Sequence, residues 1–194
     1  MMTELSLNVL DIAQNSIKAG ASLIRISVAR RPAEGRLSIT VEDNGCGMTP
    51  EQVAQVIDPF YTTRTTRKVG LGVPFFKMSA EMTGGEFSIR STPGEGTVLT
   101  ADYCYRHIDM LPLGDMAATM VSLVSVNPEI DFIYSFACGT EQFAMDTREV
   151  KAVLEGLPVN SNEVLGFIGE MIRENQAETD RYPENLAETP LNLS

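Results

Sequence analysis

Leu37-Ser38-Ile39-Thr40-Val41-Glu42-Asp43-Asn44-Gly45-Cys46-Gly47-Met48 is an alternating strand that ends on an acid and runs directly into a glycine turn. Leu37, Ile39 and Val41 fall on one side and Ser38, Thr40 and Glu42 on the other, the period-two pattern of a strand with one buried face. Upstream, residues 22–29 repeat the pattern, with Ile24, Ile26 and Val28 opposed to Leu23, Arg25 and Ser27. Pro32-Ala33-Glu34-Gly35 supplies the turn that joins the two as a hairpin. Before the hairpin, residues 5–19 read as a helix: Leu5, Val9, Ile12 and Ala13 share a face, and Gly20 is placed to stop it. After the glycine turn, Thr49-Pro50-Glu51-Gln52 is a helix start, with Thr49 as N-cap, Pro50 at the first helical position and Gln52 at the third. That short helix ends near Asp58-Pro59, a basic loop spans residues 62–69, and residues 72–83 form a further helix closed by Gly84-Gly85. Strands over 86–90 and 97–105 are joined by Ser91-Thr92-Pro93-Gly94-Glu95-Gly96. Helix, two strands, helix, loop, helix, two strands predicts an α+β fold, a two-layer α/β sandwich with helices on one face of a mostly antiparallel sheet.

After Tyr105 the texture changes. An apolar helix is expected over 113–126, a hairpin from 130–136 and 142–146 across Cys138-Gly139-Thr140, and helices over 148–154 and 162–175. The chain therefore divides into residues 1–105, a small C-terminal α/β extension at 106–175, and a Glu-, Asn- and Pro-rich tail at 176–194 expected to be disordered. No apolar run reaches the roughly 18 residues of a membrane span. The start of the chain lacks the basic and apolar regions of a signal peptide. Three cysteines without metal-ligand spacing fit a reducing cytoplasm. The net charge of −11 argues against broad nucleic-acid binding.

The chain has no P-loop, no G-x-G-x-x-G, no H-E-x-x-H and no nucleophile elbow. It has three GxG turns: Gly45-Cys46-Gly47, Gly70-Leu71-Gly72 and Gly94-Glu95-Gly96. The first follows a strand ending in an acid. The second opens a helix, where free N–H groups and the dipole favour phosphate. Upstream, Asp11, Asn15 and Lys18 stand at i, i+4 and i+7 and so share one helix face. A carboxylate, an amide and an ammonium on one face suit a magnesium–triphosphate, since the amide oxygen is a hard ligand and the ammonium meets a phosphate.

The motifs Asp11-Ile12-Ala13-Gln14-Asn15-Ser16-Ile17-Lys18, Asp43-Asn44-Gly45-Cys46-Gly47, Asp58-Pro59-Phe60-Tyr61-Thr62-Thr63-Arg64, Gly70-Leu71-Gly72 and Gly94-Glu95-Gly96-Thr97 resemble, in order, the N, G1, F, G2 and G3 boxes of the GHKL superfamily. That superfamily contains gyrase, the large heat-shock chaperones, histidine kinases and mismatch-repair ATPases. The match covers about residues 5–105 and is most similar to the catalytic domain of sensor histidine kinases. The resemblance implies the Bergerat ATP-binding fold, with ATP and Mg2+ as cofactors. It implies that Asn15 holds the metal, Lys18 lies near a phosphate, and Asp43 accepts the adenine amino hydrogen with Thr97 in support. Gly45 and Gly47 would let the backbone approach the base. Gly70, Leu71 and Gly72 would end the lid and start a helix under the phosphates. Arg64, Arg67 and Lys68 lie in that lid, either meeting the γ-phosphate or as a solvated loop.

Asp11 stands where ATP-hydrolysing members usually carry Glu. Two readings stand: a catalytic base acting through a water, or a residue that only orients the metal's water shell. Only residues 1–4 precede the first box, so the phosphoacceptor is expected on another protein. His107, the single histidine, is read as a structural residue in preference to an autophosphorylation site. The leading expectation is a stand-alone ATP-dependent protein kinase or ATPase that phosphorylates or regulates a protein partner, with a homodimer possible. The alternative is a nucleotide-gated interaction module or slow ATPase without phosphotransfer.

Overall fold

A computed structural model describes residues 3–58 and 71–181. Helix α1 (Leu5–Lys18) precedes the hairpin of β1 (Leu23–Arg31) and β2 (Arg36–Asp43). Helices α2 (Pro50–Val56) and α3 (Gly72–Met82) follow, then β3 (Glu86–Thr92) and β4 (Gly96–Cys104). The chain continues through α4 (Met116–Val126), β5 (Asp131–Cys138), β6 (Glu141–Asp146), α5 (Thr147–Val153) and α6 (Asn162–Thr179).

The expected α+β architecture is present, as one six-stranded sheet in the order β3-β4-β2-β1-β5-β6. Every pair is antiparallel except β1 with β5. The C-terminal hairpin thus grows the same sheet outward from β1. Its inward side chains, Phe132, Tyr134 and Phe136, join the cluster formed by Ile24, Ile26 and Val28 of β1 and Leu37, Ile39 and Val41 of β2. On the helix layer, Leu5, Val9, Ile12 and Ala13 of α1 bury the face their spacing predicts. Phe76 of α3 meets Phe87 and Tyr103 edge-on, with ring centroids 6.4 and 6.3 Å away.

Three helix ends show what the local sequence controls. Thr49 makes the expected capping box: Gln52 N–H donates to Thr49 Oγ1 at 3.3 Å, and Thr49 N–H donates to Gln52 Oε1 at 2.8 Å. Helix α4 begins later than the expected residue 113, because Gly114 has φ +80° and Asp115 caps the helix by accepting from Ala118 N–H at 2.8 Å. Helix α6 runs to Thr179, past the expected end at 175, so the start of the segment expected to be disordered is helical. Thr179 and Ile172 are buried against the body, and that packing outweighs a polar composition. The remaining tail, 182–194, lies outside the described residues.

Helix α1 has no side-chain cap at Glu4. Its first N–H groups are met instead by the C-terminal segment: Leu5 N–H donates to Pro112 O at 3.0 Å and Ser6 N–H to Leu113 O at 2.8 Å. The helix that carries Asp11, Asn15 and Lys18 is therefore capped by backbone about a hundred residues away in the chain.

Candidate functional site

Strand β2 places Asp43 at its last position, 7% exposed, with its carboxylate against the C-terminal half of α1. Ser16 Oγ donates to Asp43 Oδ2 at 2.6 Å, and the Gly45 backbone N–H donates to Asp43 Oδ1 at 2.9 Å. Each oxygen is held by one short bond and keeps capacity to accept another. The carboxylate is thus a fixed, partly satisfied acceptor, the group needed to select an exocyclic amine.

Thr97 is the cross-strand partner of Asp43 and is likewise 7% exposed. Its Oγ1 lies 2.8 Å from Ser91 Oγ. Ser91 Oγ gives its single proton to Gly96 O at 2.9 Å and accepts from Met48 N–H at 2.8 Å. Thr97 is therefore the donor of the pair, and its own lone pairs stay free to accept. Ser91 ties the turn after β2 to the β3–β4 turn. A backbone bond from Gly94 N–H to Cys46 O at 2.8 Å and another from Cys46 N–H to Ala19 O at 2.9 Å complete the clamp.

Two glycines are required by this arrangement. Gly47 has φ +64°, and a Cβ there would stand 1.9 Å from Thr92 O. Gly96 has φ +124°, and a Cβ there would stand 1.9 Å from Asp43 O. No L side chain fits either place. The first and third GxG turns thus interlock, backbone on backbone, around Asp43.

The second turn approaches the same helix. A Cβ on Gly72, at the start of α3, would stand 2.8 Å from Asp11 Cβ. Asp11 and Asn15 are half-buried on α1, while Lys18 is exposed in its last turn. Leu71, just before α3, is 45% exposed. The structure thus brings Asp43, Gly45, Gly47 and Thr97 together at the C-terminal end of α1, and Asp11 with Gly72 about two turns back along the helix. Arg64, Arg67, Lys68 and Gly70 lie outside the described residues. His107 sits in the turn after β4, where its Nδ1 accepts from Asp109 N–H at 3.2 Å, the local contact of a turn residue.

Ser16 and Ser91 are the site residues that motif reading passes over. Ser16 carries a usable signal: it continues the buried stripe of Leu5, Val9 and Ile12, and a hydroxyl on an apolar face needs a partner. Ser91 carries none, since serine is common in any turn.

The residues present fit an adenine nucleotide and a divalent cation by the chemistry of their donors. Asp43 offers a buried acceptor, and the Asn15 side chain offers a hard amide oxygen on the same helix as Ser16.

Residues 2–105 match the sequence profile described as histidine kinase-, DNA gyrase B-, and HSP90-like ATPase. The non-motile and phage-resistance protein of Caulobacter vibrioides is 32% identical over 118 residues, covering 56% of this chain and 14% of that protein. The sensor protein kinase FleS of Pseudomonas aeruginosa is 38% identical over 92 residues, covering 47% of this chain and 23% of that protein. This chain therefore spans less than a quarter of the length of either relative. Among solved structures, the N-terminal domain of a DNA repair protein shares the fold, with a TM-score of 0.51 at 14% identity, covering 81% of this chain and 59% of that one.

Proposed function

The chain belongs to the histidine kinase-, DNA gyrase B- and HSP90-like ATPase family, and from that membership we propose that it binds ATP with magnesium and uses it to phosphorylate or regulate a partner protein in signalling. The observation that carries the reading is the Asp43 carboxylate, held from two sides by Ser16 and Gly45 with accepting capacity to spare. A carboxylate so fixed takes the amino group of adenine, whereas guanine presents an oxygen at that position. Asn15 would hold the magnesium, whose charge would offset that of the phosphates. Lys18, exposed at the end of α1, would meet a phosphate. The likeness to sensor kinases such as FleS supports a phosphoacceptor on a protein. So does an apolar stripe on the outer side of α3, where Leu71, Met78 and Met82 are 45%, 48% and 54% exposed. Among the described residues no helix is long and apolar enough to cross a membrane, in keeping with action in the cytoplasm.

A second reading, a nucleotide-gated module without phosphotransfer, is favoured by the close approach of Gly72 to Asp11, which seats the start of α3 against the site helix. Incubation with γ-labelled ATP, alone and with proteins encoded beside it, separates the two. Label on a partner supports the kinase; tight binding with neither transfer nor hydrolysis supports the module and sinks the enzyme reading.

Asn15→Ala is expected to remove the magnesium dependence of ATP binding, with affinity in Mg2+ reduced on the order of 10–100-fold and affinity in EDTA little changed. Calorimetric titration under both conditions checks this, and an unchanged Mg2+ effect would exclude Asn15 as ligand. Ser16→Ala removes a bond to a charged group worth about 1.5–3 kcal/mol, so ATP should bind at least roughly ten-fold more weakly. Equal affinity in this variant would mean that Ser16 does not position the carboxylate.

A further inference from the structure

The helices cover one face of the sheet and leave the other open. Because the strands pair in fixed registers, the open-face side chains fall into rows crossing all six strands. From β3 to β6 the central row reads Ser88, Thr100, Thr40, Ser27, Ser135 and Ala144. Ser135 donates to Ser27 at 2.9 Å, and Thr40 and Thr100 share a bond at 3.1 Å. One hydroxyl proton of each pair is thus bonded within the surface, so covering the row costs less than covering polar groups bonded only to water.

The next row toward the Asp43 end reads Arg90, Val98, Glu42, Arg25, Ile133 and Asp146. In chemical terms it is positive, apolar, negative, positive, apolar, negative. Read from the other edge, the same row is its own complement.

We propose that this open face is a self-association surface for a second copy of the chain, related by a two-fold axis that runs along the strands between β2 and β1. That axis sets β3 over β6 of the partner subunit and β2 over β1 of the partner subunit, and it superimposes the row on its reversed self. Near the axis Glu42 then meets Arg25 of the partner subunit, and Val98 meets Ile133 of the partner subunit. The Arg25–Glu42 pair is 2.9 Å long with both side chains 44% exposed. Doubling it across the axis gives a ring of four alternating charges. Arg90 and Asp146 lie at the edges, where sheet twist carries facing strands apart, so the central ring carries the pairing. Further along, Arg31 would face Arg36 of the partner subunit, but Asp102 holds both arginines within each chain at 2.7 Å. Six strands about 4.8 Å apart and about seven residues of 3.3 Å give roughly 650 Å² per copy. Two such faces exceed the roughly 1,000 Å² that a specific interface needs. A self-complementary pattern of this kind is the mark of an isologous contact.

Sedimentation velocity on the full chain from about 5 to 200 µM, without nucleotide, tests the proposal. The wild type is expected to shift from monomer to dimer across that range. Arg25→Glu alone and Glu42→Arg alone place like charges across the axis, and each should stay monomeric. An equimolar mixture of the two variants should dimerise, because one chain then presents two acids and the other two bases. Circular dichroism melts check that each variant folds; if either does not, Ser27→Trp on the central row, half-buried in the monomer, replaces the pair and should abolish the dimer. A monomeric wild type, variants that dimerise like the wild type, or a mixture no more dimeric than its components would overturn the proposal. Nucleotide binding does not enter the measurement, so its outcome is independent of the function proposed above.

Discussion

Gly96→Ala is expected to lower stability by about 3 kcal/mol or more, and the melting temperature on the order of 10 °C. Gly96 opens β4 with φ +124°, and a Cβ there would meet Asp43 O at 1.9 Å and Asn44 Cα at 2.9 Å. Both neighbours are backbone, so no side chain can swing aside. Strand β4 would have to leave β2 at the Asp43–Thr97 pair, the position on which the site rests. Gly94→Ala is the control. Gly94 also has positive φ, +81°, but a Cβ there meets nothing within 4 Å. It should cost only the left-handed penalty of about 1–2 kcal/mol. Urea unfolding of both variants isolates the steric part, and equal losses would mean that the close approach to Asp43 does not constrain the fold.

Asp43→Asn should weaken ATP binding by about 2–4 kcal/mol, a loss on the order of 30- to 1,000-fold, while the protein stays folded. The side chain keeps its size but loses its charge and gains an amide donor. Ser16 Oγ and Gly45 N–H already donate to the two carboxylate oxygens at 2.6 and 2.9 Å. An amide must therefore set its donor against one of these or against the incoming adenine amine. The ratio of ATP to GTP affinity should fall with it, since the discarded acceptor is what distinguishes the bases. Titration with both nucleotides reads this directly, and an unmoved ratio would remove Asp43 from base recognition. Combined with Ser16→Ala, the losses should be less than additive, because both act on one carboxylate.

How far the sequence carries is clear from these residues. Ile24, Ile26, Val28, Leu37, Ile39 and Val41 announce the hairpin because a strand buried on one face must alternate. The box at Thr49 and Gln52 announces α2 because capping is satisfied within four residues. The family was legible because Asp43, Asn15 and the glycine turns stand in order at a fixed spacing. The parallel pairing of β5 with β1 was not, since alternation marks a buried face and says nothing of which edge a strand joins or in which direction. Nor was the cap of α1 by Pro112 and Leu113, because backbone carbonyls carry no residue signature.

By itself, then, the sequence determined the element types, the ATPase family and the candidates for an acceptor and a metal ligand, since these follow from local periodicity, motif spacing and side-chain chemistry. Only the tertiary structure decided what makes them a site. Ser16 reaches Asp43 across 27 positions of chain, Gly47 and Gly96 admit the backbones of Thr92 and Asp43, and Arg25 falls in line with Glu42 across a sheet. Those relations depend on packing between distant segments, whose register no local pattern encodes.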